Sequence, residues 1–163
     1  MLREKTMRMS CWLGLVLVLI VAIPAMTQSR TPEAISVREK LVGAWKLLFF
    51  EQPGPDGMIR KLPRIGLLMY TQDGHVSLQI LAPEGAPEAA AGPIQYEQGG
   101  YEAYFGTYTV DEKTSTVTQH IEGVLVRSLI GKDLTRVCSF SGKQLTRRSI
   151  RSDEHWTSVW EHY

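Results

Sequence analysis

From Gly43 to the C-terminus, apolar and polar positions alternate with a period of two in short runs bounded by Gly, Pro, Asp or Ser. Short alternating runs at regular spacing predict an all-β sandwich or barrel. The first run is Trp45 to Glu51, and Pro53-Gly54-Pro55-Asp56-Gly57 turns the chain after it. A short run, Met58 to Leu62, follows. Gly66 to Thr71 is almost continuously apolar and predicts a strand covered on both faces. Gln72-Asp73-Gly74 is a hairpin signal, because Asp-Gly suits a type I′ turn. The returning run, His75 to Leu81, sets Val76, Leu78 and Ile80 on one face and His75, Ser77 and Gln79 on the other. Strand patterning resumes over Tyr104–Val110, Thr116–Glu122, Asp133–Phe140, Gln144–Ile150 and His155–Tyr163. The total is about 8–10 strands, enough for one closed antiparallel barrel. The pattern contains no helix–strand alternation, which argues against a parallel α/β fold.

Two stretches depart from this rhythm. Thr31 to Leu41 has weak helical spacing and reads as a short helix leading into the first strand. Leu81 to Gly100 is rich in Ala, Pro and Gly and reads as a long surface loop, suited to a lid over the barrel, with a short helix near Gln95 to Glu102.

The N-terminus is patterned differently. Arg3, Lys5 and Arg8 precede an apolar run from Cys11 to Ile23, which ends in Pro24 and small or polar residues. This is the layout of a secretory signal peptide, shorter than the ~20 apolar residues of a membrane span. The expected organisation is a signal over 1–27, a flexible segment over 28–36, and a barrel domain over 37–163. The expected location is therefore outside the cytoplasm, periplasmic or secreted, with no stable membrane span after cleavage. The signal carries three basic residues and one acid, so its removal takes the net charge from +1 to −1 (+1 − 3 + 1). A near-neutral chain of mixed charge carries no electrostatic footprint for nucleic acid. Of the two cysteines, Cys11 lies in the signal, so the mature chain has Cys138 alone and its core must hold by burial without an internal disulfide.

Motifs narrow the chemistry. No H-E-x-x-H, C-x-x-C, G-x-S-x-G or glycine-rich phosphate loop is present, so neither a metal nor another cofactor is expected. Two constellations are candidates. Tyr104, Gly106 and Tyr108 share a strand face, and the glycine leaves room for a ligand or another backbone. Thr118, His120 and Glu122 share another face. If that face lines the interior, imidazole and carboxylate form an acid–base pair; if Val117 and Ile121 point inward, His120 is a surface residue.

Gly43-Ala44-Trp45, opening the first strand after a helical lead-in, resembles the G-x-W signature of lipocalin barrels. The similarity extends to Gly66–Gly74, Tyr101–Asp111, Thr116–Gly123, Gly131-Lys132-Asp133 with Arg136, Leu145-Thr146 and Trp160-Glu161. In order and spacing these segments resemble the bacterial and fungal lipocalin-like domain proteins. The resemblance implies an all-β, lipocalin-like closed antiparallel barrel, in which Gly43 permits a tight turn and Trp45 plugs the closed end. A basic residue from the Arg147, Arg148, Arg151 cluster packing on Trp45 is a further implication. The resemblance fixes no reaction.

The reading that follows is an exported binder of a small hydrophobic molecule, with Tyr104, Tyr108, His120 and Arg136 as candidate ligand contacts and Thr107, Thr109, Ser77 and Gln79 as minor polar ones. Two alternatives stay open. One is a small barrel enzyme of isomerase or cyclase type, using His120 and Glu122. The other is a non-catalytic envelope protein whose barrel is filled by its own side chains.

Overall fold

The structure, a computed structural model, describes residues 35–85 and 96–163. The expected signal, most of the flexible segment and the middle of the expected lid lie outside these residues. Helix α1 (Val37–Leu41) leads into β1 (Gly43–Pro53), β2 (Ile59–Leu62), β3 (Ile65–Tyr70), β4 (His75–Leu81), β5 (Tyr101–Asp111), β6 (Thr116–Val124), β7 (Asp133–Ser141), β8 (Gln144–Ser149) and β9 (Thr157–His162). Every pairing is antiparallel; β1 pairs with both β2 and β3, the strands from β3 to β9 each pair with the next in sequence, and β9 returns to β1 through Trp45↔His162 to Glu51↔Thr157. Eight strands thus close into a barrel, which leaves no free edge along most of the wall.

The short strand β2 is the far half of β3. Both pair with β1, as Gly43–Lys46 against Leu67–Tyr70 and Phe50–Pro53 against Ile59–Leu62. Pro63, which cannot donate to the ladder, sits at the break between them. The neighbouring Arg64 is turned inward and buried.

One end of the barrel is closed by α1. Ser36 and Glu39 form a reciprocal capping box, and the Glu112 carboxylate accepts from the Val37 and Arg38 amides at 2.7 and 3.0 Å. Ser36 is therefore a helix cap rather than the end of a flexible segment. Trp45 lies beneath, donating its indole N–H to the Leu41 carbonyl at 2.8 Å. The ring that packs edge-on against Trp45 is His162, at 4.8 Å between centroids. This corrects the expected arginine: Arg147 points into the barrel and Arg148 and Arg151 are exposed. Gly43 has φ +134°, and a Cβ there would overlap the His162 imidazole, so the first glycine of the signature is required by both backbone and packing.

The alternation in β4 holds, with Val76, Leu78 and Ile80 buried. On β3, Leu68 and Tyr70 are buried while Ile65 and Met69 are exposed, so this strand is covered on one face only. The helix expected near Gln95–Glu102 is not formed over 96–102, the described part of that stretch. Gly99 and Gly100 take positive φ in a turn, Gln98 bridges to Tyr101, and β5 begins there. The connection after β6 contains a single 3₁₀ turn, Arg127–Leu129. Among the described residues no helix is long and apolar enough to cross a membrane.

Candidate functional site

The barrel interior has two chemically different halves. Near α1 it is apolar and aromatic: Trp45, Leu68, Tyr70, Val76, Leu78, Tyr108, Val117, Leu145 and Trp160 are all buried. Burial of such side chains contributes roughly 25 cal/mol per Å² of area removed from contact with water and supplies the main stabilisation of the barrel, where Cys138 is free. Tyr108 belongs to this half. Its hydroxyl donates to the Thr71 carbonyl at 2.9 Å, its ring meets Tyr70 edge-on at 4.9 Å, and Arg38 stacks on it. Tyr108 therefore anchors the β3–β4 hairpin to the closed end.

Toward the other end polar side chains join the apolar Ile80, Ile121 and Leu134 at inward positions. The strand period of two places Tyr104 and Glu102 of β5, Gln119 of β6, Arg136 and Cys138 of β7 and Arg147 of β8 on the lumen face. At the centre, Gln119 donates from Nε2 to the Tyr70 hydroxyl at 2.9 Å. Its Oε1 accepts from the Tyr104 hydroxyl at 2.7 Å and from Arg147 Nη2 at 3.1 Å. Arg147 Nη2 also donates to the Tyr104 hydroxyl at 3.3 Å. Arg147 is 2% exposed, and its Nε is buried without a hydrogen-bond partner. Burial holds the Tyr70 phenol neutral and pushes the Cys138 thiol up to about 11, so this cysteine is an inert packing residue.

Nearer the rim, cations and rings alternate. Arg64 lies over Phe50, Phe50 stacks on Trp156 at 5.8 Å, and Arg136 lies over both Trp156 and Tyr96. Arg64 pairs with Glu97 at 2.5 Å. Glu154 accepts from Tyr96 at 2.8 Å and Trp156 at 3.2 Å, and pairs with Arg151 at 3.0 Å and, more loosely, with Arg136 at 3.9 Å. Stacked guanidinium–aromatic contacts in a desolvated setting contribute about 1–2 kcal/mol each, so this layer braces the mouth of the barrel.

Glu102 is half-buried among these groups. Burial pushes its carboxyl up to about 7, while the positive charges of Arg136 and Arg147 pull in the other direction. A free glutamate titrates near 4.5, so between that pH and about 7 the folded chain keeps a proton the unfolded chain has lost. Stability contributed by this group falls as pH rises through that window and levels off above it. Glu102→Gln is expected to melt at the same temperature as the parent near pH 4.5 and at a higher one near pH 8. Thermal melts at both values check this, and an equal gap at both would contradict it.

The other candidate pair stands elsewhere. Val117, Gln119 and Ile121 point inward, so His120 and Glu122 face outward and are exposed. His120 is partnered by Asp133 at 2.9 Å, and its side chain is 54% exposed. The interior acid–base pair is thereby corrected: one register step sends both residues to the outer surface. Ser77, Gln79, Thr107 and Thr109 share that outer face, where a shallow groove lies over Ser77, Gln79, Ala103, Phe105, Gly123 and Leu125. The space at Gly106 is taken by backbone, because a Cβ there would run into the His120 carbonyl. Of the expected ligand contacts, Tyr104 and Arg136 are in the polar half of the lumen, Tyr108 is in the closed end, and His120 is outside. Gln119, Arg147 and Glu102 were missed. The signal available for Gln119 and Arg147 was a polar residue at an inward position between apolar ones, in Val117-Thr118-Gln119-His120-Ile121 and Leu145-Thr146-Arg147.

Among the described residues no group of three or more His, Cys, Asp or Glu is placed to hold a metal ion. No curated protein matches the sequence. Among solved structures, a lipocalin-like protein from Bacteroides uniformis ATCC 8492 is 15% identical, with a TM-score of 0.46 over 76% of this chain and 99% of that one. An uncharacterized protein from Bacteroides eggerthii DSM 20697 is 14% identical, with a TM-score of 0.44 and the same coverages. The lipocalin-like domain family model matches residues 42–161, which span the strands from the opening Gly43-Ala44-Trp45 to Glu161. With that match over most of its length and a closed eight-stranded barrel, this chain belongs to the lipocalin-like domain family.

Proposed function

We propose that the protein is exported and binds a small, largely hydrophobic molecule in the barrel. The observation that carries this reading is the polar half of the lumen. Tyr104, Gln119 and Arg147 are buried where a barrel serving only its own stability would place aliphatic side chains. Burying an arginine costs several kcal/mol of lost hydration, and a neutral hydroxyl and amide return only part of it. A barrel that holds such a group beside an apolar floor offers an amphipathic molecule both an apolar wall and a polar anchor. The exported location rests on the charged, apolar and small-residue order of the first 27 residues.

The test is isolation of the protein from its own host, with intact-mass analysis under denaturing conditions and metabolite analysis of the solvent extract. The expected result is a chain shortened to a start near Gln28 and a stoichiometric small molecule in the extract. A full-length chain contradicts export, and an extract with no enriched molecule contradicts tight binding.

The enzymatic alternative built on His120 and Glu122 has no support from their outward placement. His120→Asn and Glu122→Gln are expected to bind whatever ligand is recovered within about twofold of the parent, as surface changes do. A loss of tenfold or more in either, measured by titration calorimetry, would return the site to the outer face.

A further inference from the structure

Resting on the binding reading above, we infer that the ligand carries an anionic end group, a carboxylate or similar monoanion, and that Arg147 is the residue that receives it. Arg147 sits in the wall between Cys138 of β7 and Ser158 of β9, with its guanidinium turned toward the barrel axis. It remains charged at every physiological pH. Its two acceptors, Gln119 Oε1 and the Tyr104 hydroxyl, are neutral and both engage Nη2 alone. Its Nε is buried and unpartnered. Among the described residues no carboxylate approaches within the 4.0 Å of an ion pair. The other two inward arginines differ on this point. Arg64 is matched by Glu97, and Arg136 faces Glu154 and is sandwiched by Tyr96 and Trp156. The unmatched charge therefore lies at one place, on the boundary between the apolar floor and the polar rim.

A carboxylate entering there completes the arrangement. It accepts from the guanidinium in the bidentate manner that suits both partners. The Tyr104 hydroxyl, now held by Gln119, is within the same cluster and is able to turn toward the new acceptor. The hydrocarbon part of the ligand would lie against the apolar half, toward Leu78 and Val117.

Glu102 is the internal competitor. The groups that face it are Arg136 of β7, Arg147 of β8, Arg64 from the β2–β3 break and Glu97 before β5. Protonated, Glu102 leaves the arginines to the ligand; ionised, it opposes a second anion. Binding of an anion is therefore weakened as pH rises through the range near neutrality where this carboxyl ionises, and binding of a neutral molecule is not.

The experiment compares decanoate with 1-decanol, which share a chain and differ in charge, by titration calorimetry on the parent protein, Arg147→Gln, Arg147→Met and Glu102→Gln. Circular dichroism establishes that each variant keeps its fold. The parent is expected to prefer decanoate by roughly tenfold or more, the scale of one charge-assisted hydrogen-bonded pair. Both Arg147 variants should reduce that preference to within about twofold while 1-decanol binding persists. In the parent, decanoate affinity should fall between about pH 6 and about pH 8.5, and this fall should vanish in Glu102→Gln, a readout that does not depend on the Arg147 variants folding. If the parent binds both probes equally, the anion inference is overturned and the small-molecule reading stands. If neither probe binds, both are overturned. If the preference survives in folded Arg147 variants, another group receives the anion.

Discussion

Gly106→Val is expected to prevent the barrel from forming. Gly106 lies on the inward face of β5, opposite Ile121 on β6, at the point where the pairing slips by one residue after Phe105↔Gly123. That slip drives the two backbones together, so that the first atom of any side chain at Gly106 overlaps the His120 carbonyl oxygen and crowds the Glu122 amide. The colliding atoms belong to the main chain of a central strand, which cannot step aside as a flexible side chain would. Relief requires breaking the β5–β6 ladder in the middle of the wall. The cost is expected to exceed about 4 kcal/mol, within reach of the whole stability of a domain this size. Gly106→Ala meets the same oxygen and should be only somewhat milder. Urea denaturation followed by circular dichroism checks both, and a loss below about 1 kcal/mol for the valine variant would mean that the close approach does not exist.

The second large effect is expected at Trp45. Its side chain is 2% exposed and seals the α1 end, contacting the rings of His162 and Phe140. Trp45→Ala removes this volume where the surrounding wall is hydrogen-bonded and unable to collapse into the space. Large-to-small changes of this kind cost about 3–5 kcal/mol. The Leu41 carbonyl also loses the indole N–H that satisfies it at the C-terminal end of α1, a further ~1 kcal/mol. Trp45→Phe separates the two contributions, because it keeps most of the packing and deletes the donor. The alanine variant should have a markedly lower urea midpoint, with the phenylalanine variant between it and the parent. Equal midpoints for alanine and phenylalanine would place the contribution in the hydrogen bond alone.

The fold was legible because its signals are local. Asp73-Gly74, Ser141-Gly142-Lys143 and Asp111-Glu112-Lys113 mark three hairpin turns at the α1 end, and the alternation of Val76, Leu78 and Ile80 fixes a face without reference to other strands. The Gly43-Ala44-Trp45 signature carried its own physical reason, now visible as a positive φ over the His162 ring. The site was less legible because its parts alternate with candidates of equal appeal. On β6, Gln119 and His120 are adjacent polar residues, and the strand's period of two sends one into the lumen and the other to water. The deciding neighbours, Val117 and Ile121, mark the inward face once they are weighed against Thr118 and Glu122. Arg147 stands beside Arg148 in one basic cluster, and only the closure of β8 between β7 and β9 shows it to be enclosed. Glu102 lay next to a loop whose composition suggested a helix, so its strand parity with Tyr104 was hidden until β5 was seen to begin at Tyr101.

The proposed ligand site is the lumen around Arg147 rather than the outer face around His120. Nuclear magnetic resonance of protein labelled with ¹⁵N-arginine tests it most directly, with the Nε–H signal of Arg147 assigned by its absence in Arg147→Gln and followed as decanoate is added. The expected result is a solvent-protected Nε–H signal that shifts on binding to a saturable endpoint, while the backbone amides of His120 and Glu122 shift far less. An Nε–H signal that exchanges rapidly with water and stays fixed through the titration, with the largest shifts on the outer face of β6, would contradict it.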